Sequence, residues 1–263
     1  STKELTQDSN KLSEEALLDT VQKQALKYFW DFAEPNSGMA RERYHPNGDY
    51  AKNDPDIVTT GGSGFGLMAI IAGIERGFIP RDEAVQRLDK IATFLEETPK
   101  YHGAFPHWIN GRTAGTQEFG SDSKDNGGDI VETSFLAQGF IVVRQYLQDG
   151  NEEEKAVAAK FDKLWQNIDW DWYTNNKNGI FWHWSPDYEF EKNFMIEGYN
   201  ECLITYIMAA SSPQHAIKPE VYHQGWARGG NITTDKKAYG IPLILKYNTV
   251  GDKAGPLFWA HYS

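Results

Sequence analysis

The chain has 263 residues, 40 % of them hydrophobic and 24 % charged, which suits a soluble globular fold with one large core. A formal net charge of −11 excludes the basic footprint of a nucleic-acid binder, and the apolar runs are broken well short of a membrane span. The single cysteine, Cys202, excludes an internal disulfide, while the aromatic content of 14 % falls largely among Gly, Pro, His and Asn, the company of loops.

Residues 1–12 read as a polar leader, resembling no signal peptide, and residues 13–263 as the folded domain. A first helix is expected from Ser13, a plausible N-cap, with Leu17, Val21, Ala25, Phe29 and Phe32 at helical spacing and Pro35 as its stop. After the loop GMARERYHPNGDY, the glycine-rich stretch TTGGSGFG leads into the apolar helix LMAIIAGIERG. The amphipathic helix PRDEAVQRLDKIATFLEE follows, with acids in its first turn. The cycle then repeats. Loop YHGAFPHWING, entry DNGGD and the apolar helix IVETSFLAQGFIVVRQYL precede the amphipathic helix EEEKAVAAKFDKLWQNI. A third round runs through NNKNGIFWHWSPDYEF and EGYNE into CLITYIMAAS, then breaks at SSPQH. Beyond it, IPLILKY reads as a strand, or as a strand pair with NTVGDKAGP as the turn.

An all-apolar helix must be buried, whereas an amphipathic one can lie at the surface. Alternating the two types predicts an all-α fold, an α/α toroid with inner and outer helices, rather than an open helical array. The hexapeptides GAFPHW (103–108) and GIFWHW (179–184) recur at the same point of the cycle, so both are expected on one rim. A complete ring needs more hairpins than the sequence supplies, and FWAHYS is an apolar terminus. The expectation is therefore the N-terminal part of a barrel with a small β element near its C-terminal end.

Asp129 and Glu132 open the second apolar helix with i, i+3 spacing, which puts both on one face with Cβ atoms about 5–6 Å apart. Two such acids at a desolvated rim cannot both ionise freely, so one becomes a general acid. Asp129 can equally be a helix cap. Glu201 opens the third apolar helix in the analogous place. Around these acids, Trp108, Trp182, Trp184, Tyr188 and Tyr199 offer flat faces for sugar rings, and His107, His183, Asn200, Arg41 and Arg112 offer hydrogen bonds. No HExxH, CxxC or GxxxxGK motif is present, and Lys124 spoils DSKDNGGD as a calcium loop, so neither metal nor cofactor is expected.

The stretches DNGGDIVETSFLAQGFIVVRQY and GYNECLITYIMAASSPQH resemble the glucoamylase-like glycoside hydrolases of Bacteroidetes, a group that includes endo-β-1,2-glucanases. The resemblance runs from Leu17 to the end. It implies an (α/α)6 barrel, a secreted or periplasmic enzyme, and hydrolysis of a glucan with inversion. It also implies that Asp129 and Glu132 match acids important in the family and that Glu201 is the acid of an N-E-x-L-I-x-Y motif. Family members continue beyond FWAHYS, where a further catalytic carboxylate could lie. Inversion needs carboxyl groups about 6.5–9.5 Å apart, so Asp129 and Glu132 are too close to be the pair, and Glu201 is the preferred acid. The rivals are a polysaccharide lyase on the same toroid, which would need cations for a uronate, and a non-catalytic glycan-binding protein.

Overall fold

The computed structural model describes residues 12–51, 54–121, 124–247 and 255–263. Most of the leader and of the stretch NTVGDKAGP lie outside these residues. Six longer helices alternate between outer and inner positions: α1 (Glu14–Trp30), α2 (Thr60–Glu75), α3 (Arg81–Glu97), α4 (Ile130–Leu147), α5 (Glu152–Gln166) and α6 (Leu203–Ser211). Between them lie β1 (Ile57–Thr59), β2 (Trp108–Asn110), β3 (Thr116–Gln117), β4 (Gly128–Asp129) and β5 (His183–Trp184). After α6 come β6 (Lys237–Ala238), β7 (Ile241–Pro242) and the short α7 (Leu257–Tyr262).

The inner helices are α2, α4 and α6, and they run parallel. Gly61 donates its N–H to Glu132 and Ser134 bonds Thr205, which sets the first turns of all three side by side. Glycine makes the α2–α4 approach possible: a Cβ on Gly64 would stand 2.1 Å from the Phe135 carbonyl, and one on Gly139 2.7 Å from that of Gly64. The glycines of TTGGSGFG therefore lie inside α2, which starts at Thr60, and not in an entry loop as expected. Close packing against α4 outweighs the ~1 kcal/mol helix cost of each glycine.

Outer helices carry the caps and charges. Asn151 and Glu154 close a capping box on α5, and acids crowd the first turns of α3 and α5. The inward faces of α3 and α5 add Leu88, Leu95, Phe161 and Trp165 to one core with Phe105, Phe140 and Trp170. The first helix ends at Trp30 rather than near Pro35, because Asp31 caps it by bonding Lys27. Its expected core positions Leu17 and Val21 are 52 % and 56 % exposed; only the Leu26–Phe29 end meets α2.

The C-terminal strand pair is β6–β7, turning at Tyr239–Gly240, where both residues have positive φ; β7 takes the first two residues of IPLILKY, and the turn expected at NTVGDKAGP lies mostly outside the described residues. As expected, the third round breaks off after α6; a six-residue π-helical stretch, Val221–Trp226, follows and seats Trp226 against Tyr206.

Candidate active site

Both hexapeptides fold onto the N-terminal end of the inner helices, each as a short strand paired with the residues that precede a helix. Thr59, the N-cap of α2, lies opposite Trp108, and Asp129, the N-cap of α4, lies opposite His183. The two copies are therefore out of step by one residue. Because side chains alternate along a strand, this slip turns the histidines to different surroundings. His107 bonds Asp129 at 2.8 Å, whereas His183 is buried beside Asp125 at 3.4 Å and accepts from the Gly127 N–H. In the second copy Trp182 faces Asp129 instead, donating its Nε1–H at 3.1 Å.

Asp129 is nearly inaccessible, and both of its oxygens are engaged. Oδ1 accepts from the N–H groups of Val131 and Glu132, and Oδ2 accepts from His107 and Trp182. This is the geometry of a cap and an anchor. Burial alone would depress the His107 imidazolium, but its bond to Asp129 and the nearby carboxylates outweigh burial and hold its pKa up at about 9. The imidazole also stacks on Phe119 at 3.8 Å between centroids. His107 is thus a cation at neutral pH that offsets the Asp129 charge.

Glu132 is half-buried one turn into the cluster. Burial, then the Asp129 charge, pushes its carboxyl up to about 7, while the Gly61 N–H at 2.9 Å opposes the shift. Glu201 faces the same cluster. Burial first and Asp129 second raise its pKa, and its charge acts on Glu132 in turn. Unlike the expectation, Glu201 does not open a helix; it lies in the turn before α6, whose N-cap is Cys202. Asn200 shapes that turn, accepting from the Cys202 N–H and donating to the Glu197 carbonyl. Its amide is occupied there rather than offered to a sugar.

The other candidates divide. Trp182 stacks on Phe194 at 5.1 Å beside the acids, and Tyr199 leans on Tyr247 next to the Glu201 turn. Trp108 packs edge-on against Phe119. Trp184 belongs to a separate aromatic group with His102 and Trp172. Tyr188 sits on the Ser185–Glu189 hairpin under Lys124. Arg41 is tied to the carbonyls of Phe32 and Pro55, and Arg112 pairs with Asp56 at 3.3 Å. Neither arginine is brought to the acids, because both lie on the β1–β2 side where backbone acceptors and Asp56 hold them. His183 is likewise a core residue. Sequence reasoning missed Gly61, Phe119 and Phe194; the glycine run in the first turns of α2 was the one legible trace of the first. Among the described residues no group of acids, histidines and cysteine could hold a metal ion.

Half-buried carboxyls with raised pKa values beside the buried Asp129, with aromatic side chains around them at the N-terminal end of the inner helices, mark this rim of an all-α fold as the candidate active site. Residues 20–171 match the family described as "Protein of unknown function (DUF3131)", and residues 193–263 match that described as "Putative glucoamylase". The chain belongs to this glucoamylase-like family of glycoside hydrolases found in Bacteroidetes. It is similar to an endo-β-1,2-glucanase from Chitinophaga pinensis, solved with sophorotriose and glucose, at 54 % identity and a TM-score of 0.93 over 96 % of this chain and 60 % of that one. A β-1,2-glucanase structure from Parabacteroides distasonis aligns at 42 % identity and a TM-score of 0.84, over 96 % of this chain and 37 % of the other. An exo-β-1,2-glucooligosaccharide sophorohydrolase from the same species is 44 % identical over 96 % of this chain and 36 % of its own length. The chain thus spans only part of the length of these relatives.

Proposed function

We propose that the protein hydrolyses β-1,2-linked glucan with inversion, Glu201 protonating the glycosidic oxygen as general acid. The observation that carries this reading is the convergence of Glu132 and Glu201, both with raised pKa values, on an Asp129 that is hydrogen-bonded to His107. A carboxyl kept protonated at mild pH by burial can deliver its proton to a leaving oxygen. Glu132 is fixed to the Gly61 N–H of a neighbouring helix and is placed to orient substrate or water, whereas, among the described residues, the Glu201 carboxyl meets only its own backbone N–H. Trp182, packed on Phe194, supplies an apolar wall beside the acids. The similarity to enzymes named for β-1,2-glucan supports the linkage. A lyase reading loses support, because Arg41 and Arg112, the cations that would meet a uronate, are engaged elsewhere.

The test is incubation of the full chain, wild type and Glu201→Gln, with a panel of α- and β-glucans, reading product size and anomeric form by NMR. The expected result is cleavage of β-1,2-glucan to products that first appear as the inverted anomer, with turnover lost in the variant. Undiminished turnover by Glu201→Gln removes it from the acid role; an unsaturated product or no product overturns the hydrolase.

A further inference from the structure

Beside the acid cluster, and sharing no residue with it, the rim holds a second concavity of about 430 Å³ lined by His102, Trp172, Asn175, Asn176, Trp184, Glu189 and Phe190. Its floor is aromatic and ordered. The His102 ring lies flat on Trp172 at 3.6 Å, and Trp184 stands edge-on to both, at 4.6 Å from His102 and 6.2 Å from Trp172. Trp172 nevertheless remains 41 % exposed, unusual for an indole that already has a stacking partner. One face is covered and the other is open.

The walls are polar and rigid. His102, Asn175, Asn176 and Glu189 all have positive φ, between 49° and 56°, a conformation that residues with side chains seldom adopt. Three of them are locked from behind: His102 by the bond from Asp169 N–H to its carbonyl, Asn175 by its N–H to Trp172, and Glu189 by a reciprocal pair of bonds with Ser185. Asp169 also accepts from the Trp172 N–H, fixing the indole's backbone. Among the described residues no hydrogen bond engages the side chains of Asn175, Asn176 or Glu189, which stand at the edge of the aromatic floor as donors and an acceptor. Strained, over-determined backbone around an open aromatic face is what a preformed ligand site requires. Burial depresses the His102 pKa, with Asp169 opposing, so the ring beneath Trp172 is neutral at pH 7 and does not call for an anion.

The geometry points to a glucan-holding shelf: the open face of Trp172, bordered by Trp184 and edged by Asn175, Asn176 and Glu189, binds neutral glucosyl units of a chain whose cleavable bond lies at the acid cluster. Trp184 is paired through its backbone with Gly128, the neighbour of Asp129, so the shelf adjoins the cluster along one strand pair. The inference rests on the glucan-hydrolase reading for its ligand class, but it concerns binding and is read separately.

Affinity electrophoresis of the full chain in native gels cast with β-1,2-glucan supplies that reading, together with KM and kcat on the polymer. Wild type should be retarded. Trp172→Ala should lose most of the retardation and raise the polymer KM about tenfold with kcat little changed, as expected for losing one stacking contact. The Asn175→Gly, Asn176→Gly double variant, which removes the amides while accommodating the positive φ, should move the same way, which guards against a fold defect in the tryptophan variant. Equal retardation and equal KM for both variants and wild type overturn the shelf. A wild-type chain that is retarded but cuts no glucan sinks the hydrolase reading while leaving the shelf; one that cuts without retardation does the reverse.

Discussion

At the scale of single residues, Asp129 shows how a buried charge is tolerated: four N–H donors from its own chain surround it, and the imidazolium of His107 is one of them. Replacing Asp129 with Asn keeps an N-cap acceptor and removes the charge. The His107 pKa should then fall from about 9 toward its ordinary 6.5, measurable by NMR titration of the ring protons. Linkage gives a companion expectation. His107 is raised in the folded state, so its contribution to stability is full below pH 6.5 and is lost as pH rises through about 9. Glu132 is also raised, to about 7, so the folded chain holds a proton that the unfolded chain has released above pH 4.5, and stability again falls as pH rises toward 7. Glu132→Gln should remove that loss. Its melting temperature should match wild type near pH 4 and exceed it at pH 8, by the equivalent of about 1–3 kcal/mol. A wild type that is the more stable at pH 8 contradicts the raised Glu132 pKa. Of these features only the i, i+3 spacing of Asp129 and Glu132 was visible in the sequence; that Asp129 would have no hydrogen-bonding capacity left depended on Trp182 and His107, which arrive from distant loops.

At the scale of elements, the contact of α2 with α4 is the one that positions the chemistry. A Cβ on Gly61 would fall 2.2 Å from the Glu132 Oε2, the far end of a flexible side chain, while a Cβ on Gly64 would meet fixed backbone at 2.1 Å. The two substitutions should separate folding from function. Gly61→Ala is expected to fold with near-native melting yet lose about a hundredfold in kcat/KM, because the carboxylate is displaced. Gly64→Ala should instead destabilise by about 3 kcal/mol or more, seen in denaturant unfolding, because one helix must move off the other. Helices α2 to α5 were legible as elements because alternating apolar and amphipathic periodicity reports burial directly. The rim strands β1 to β5 were not. With two or three residues each, they have no room to display a period of two, and they form only because helix entries and loops lie side by side on the rim. Placing Glu201 on a helix failed for a related reason: the apolar pattern of ECLITYIMAA does not mark where Asn200 forces a turn.

At the scale of the whole molecule, the chain carries a net charge of −11, and cations near the rim are paired: Arg112 with Asp56, Lys192 with Asp125, Lys124 with Glu191. Such a surface offers nothing to attract a polyanion and does not repel a neutral polymer. Raising the salt from about 0.05 M to about 0.5 M should therefore change kcat/KM on neutral glucan less than about twofold, whereas carboxylated glucan should be a poor substrate at low salt and improve as salt is added. Strong salt inhibition on neutral glucan would point to a charged ligand instead. The all-α architecture and the gathering of loops at one end were readable from the order of helix types. Which face each rim residue presents was not, because that depends on strand register.

The register slip between the two hexapeptides has a consequence for how such rims diversify. An identical word, Gly-x-Phe-x-His-Trp, is spelled in two frames, so its histidine serves the chemistry in one copy and the scaffold in the other. A single-residue shift of frame thus presents a different set of chemical groups without a new loop. Lining up the copies letter by letter would assign His183 the work of His107, while the second copy's side chain that joins His107 at Asp129 Oδ2 is the indole one position earlier.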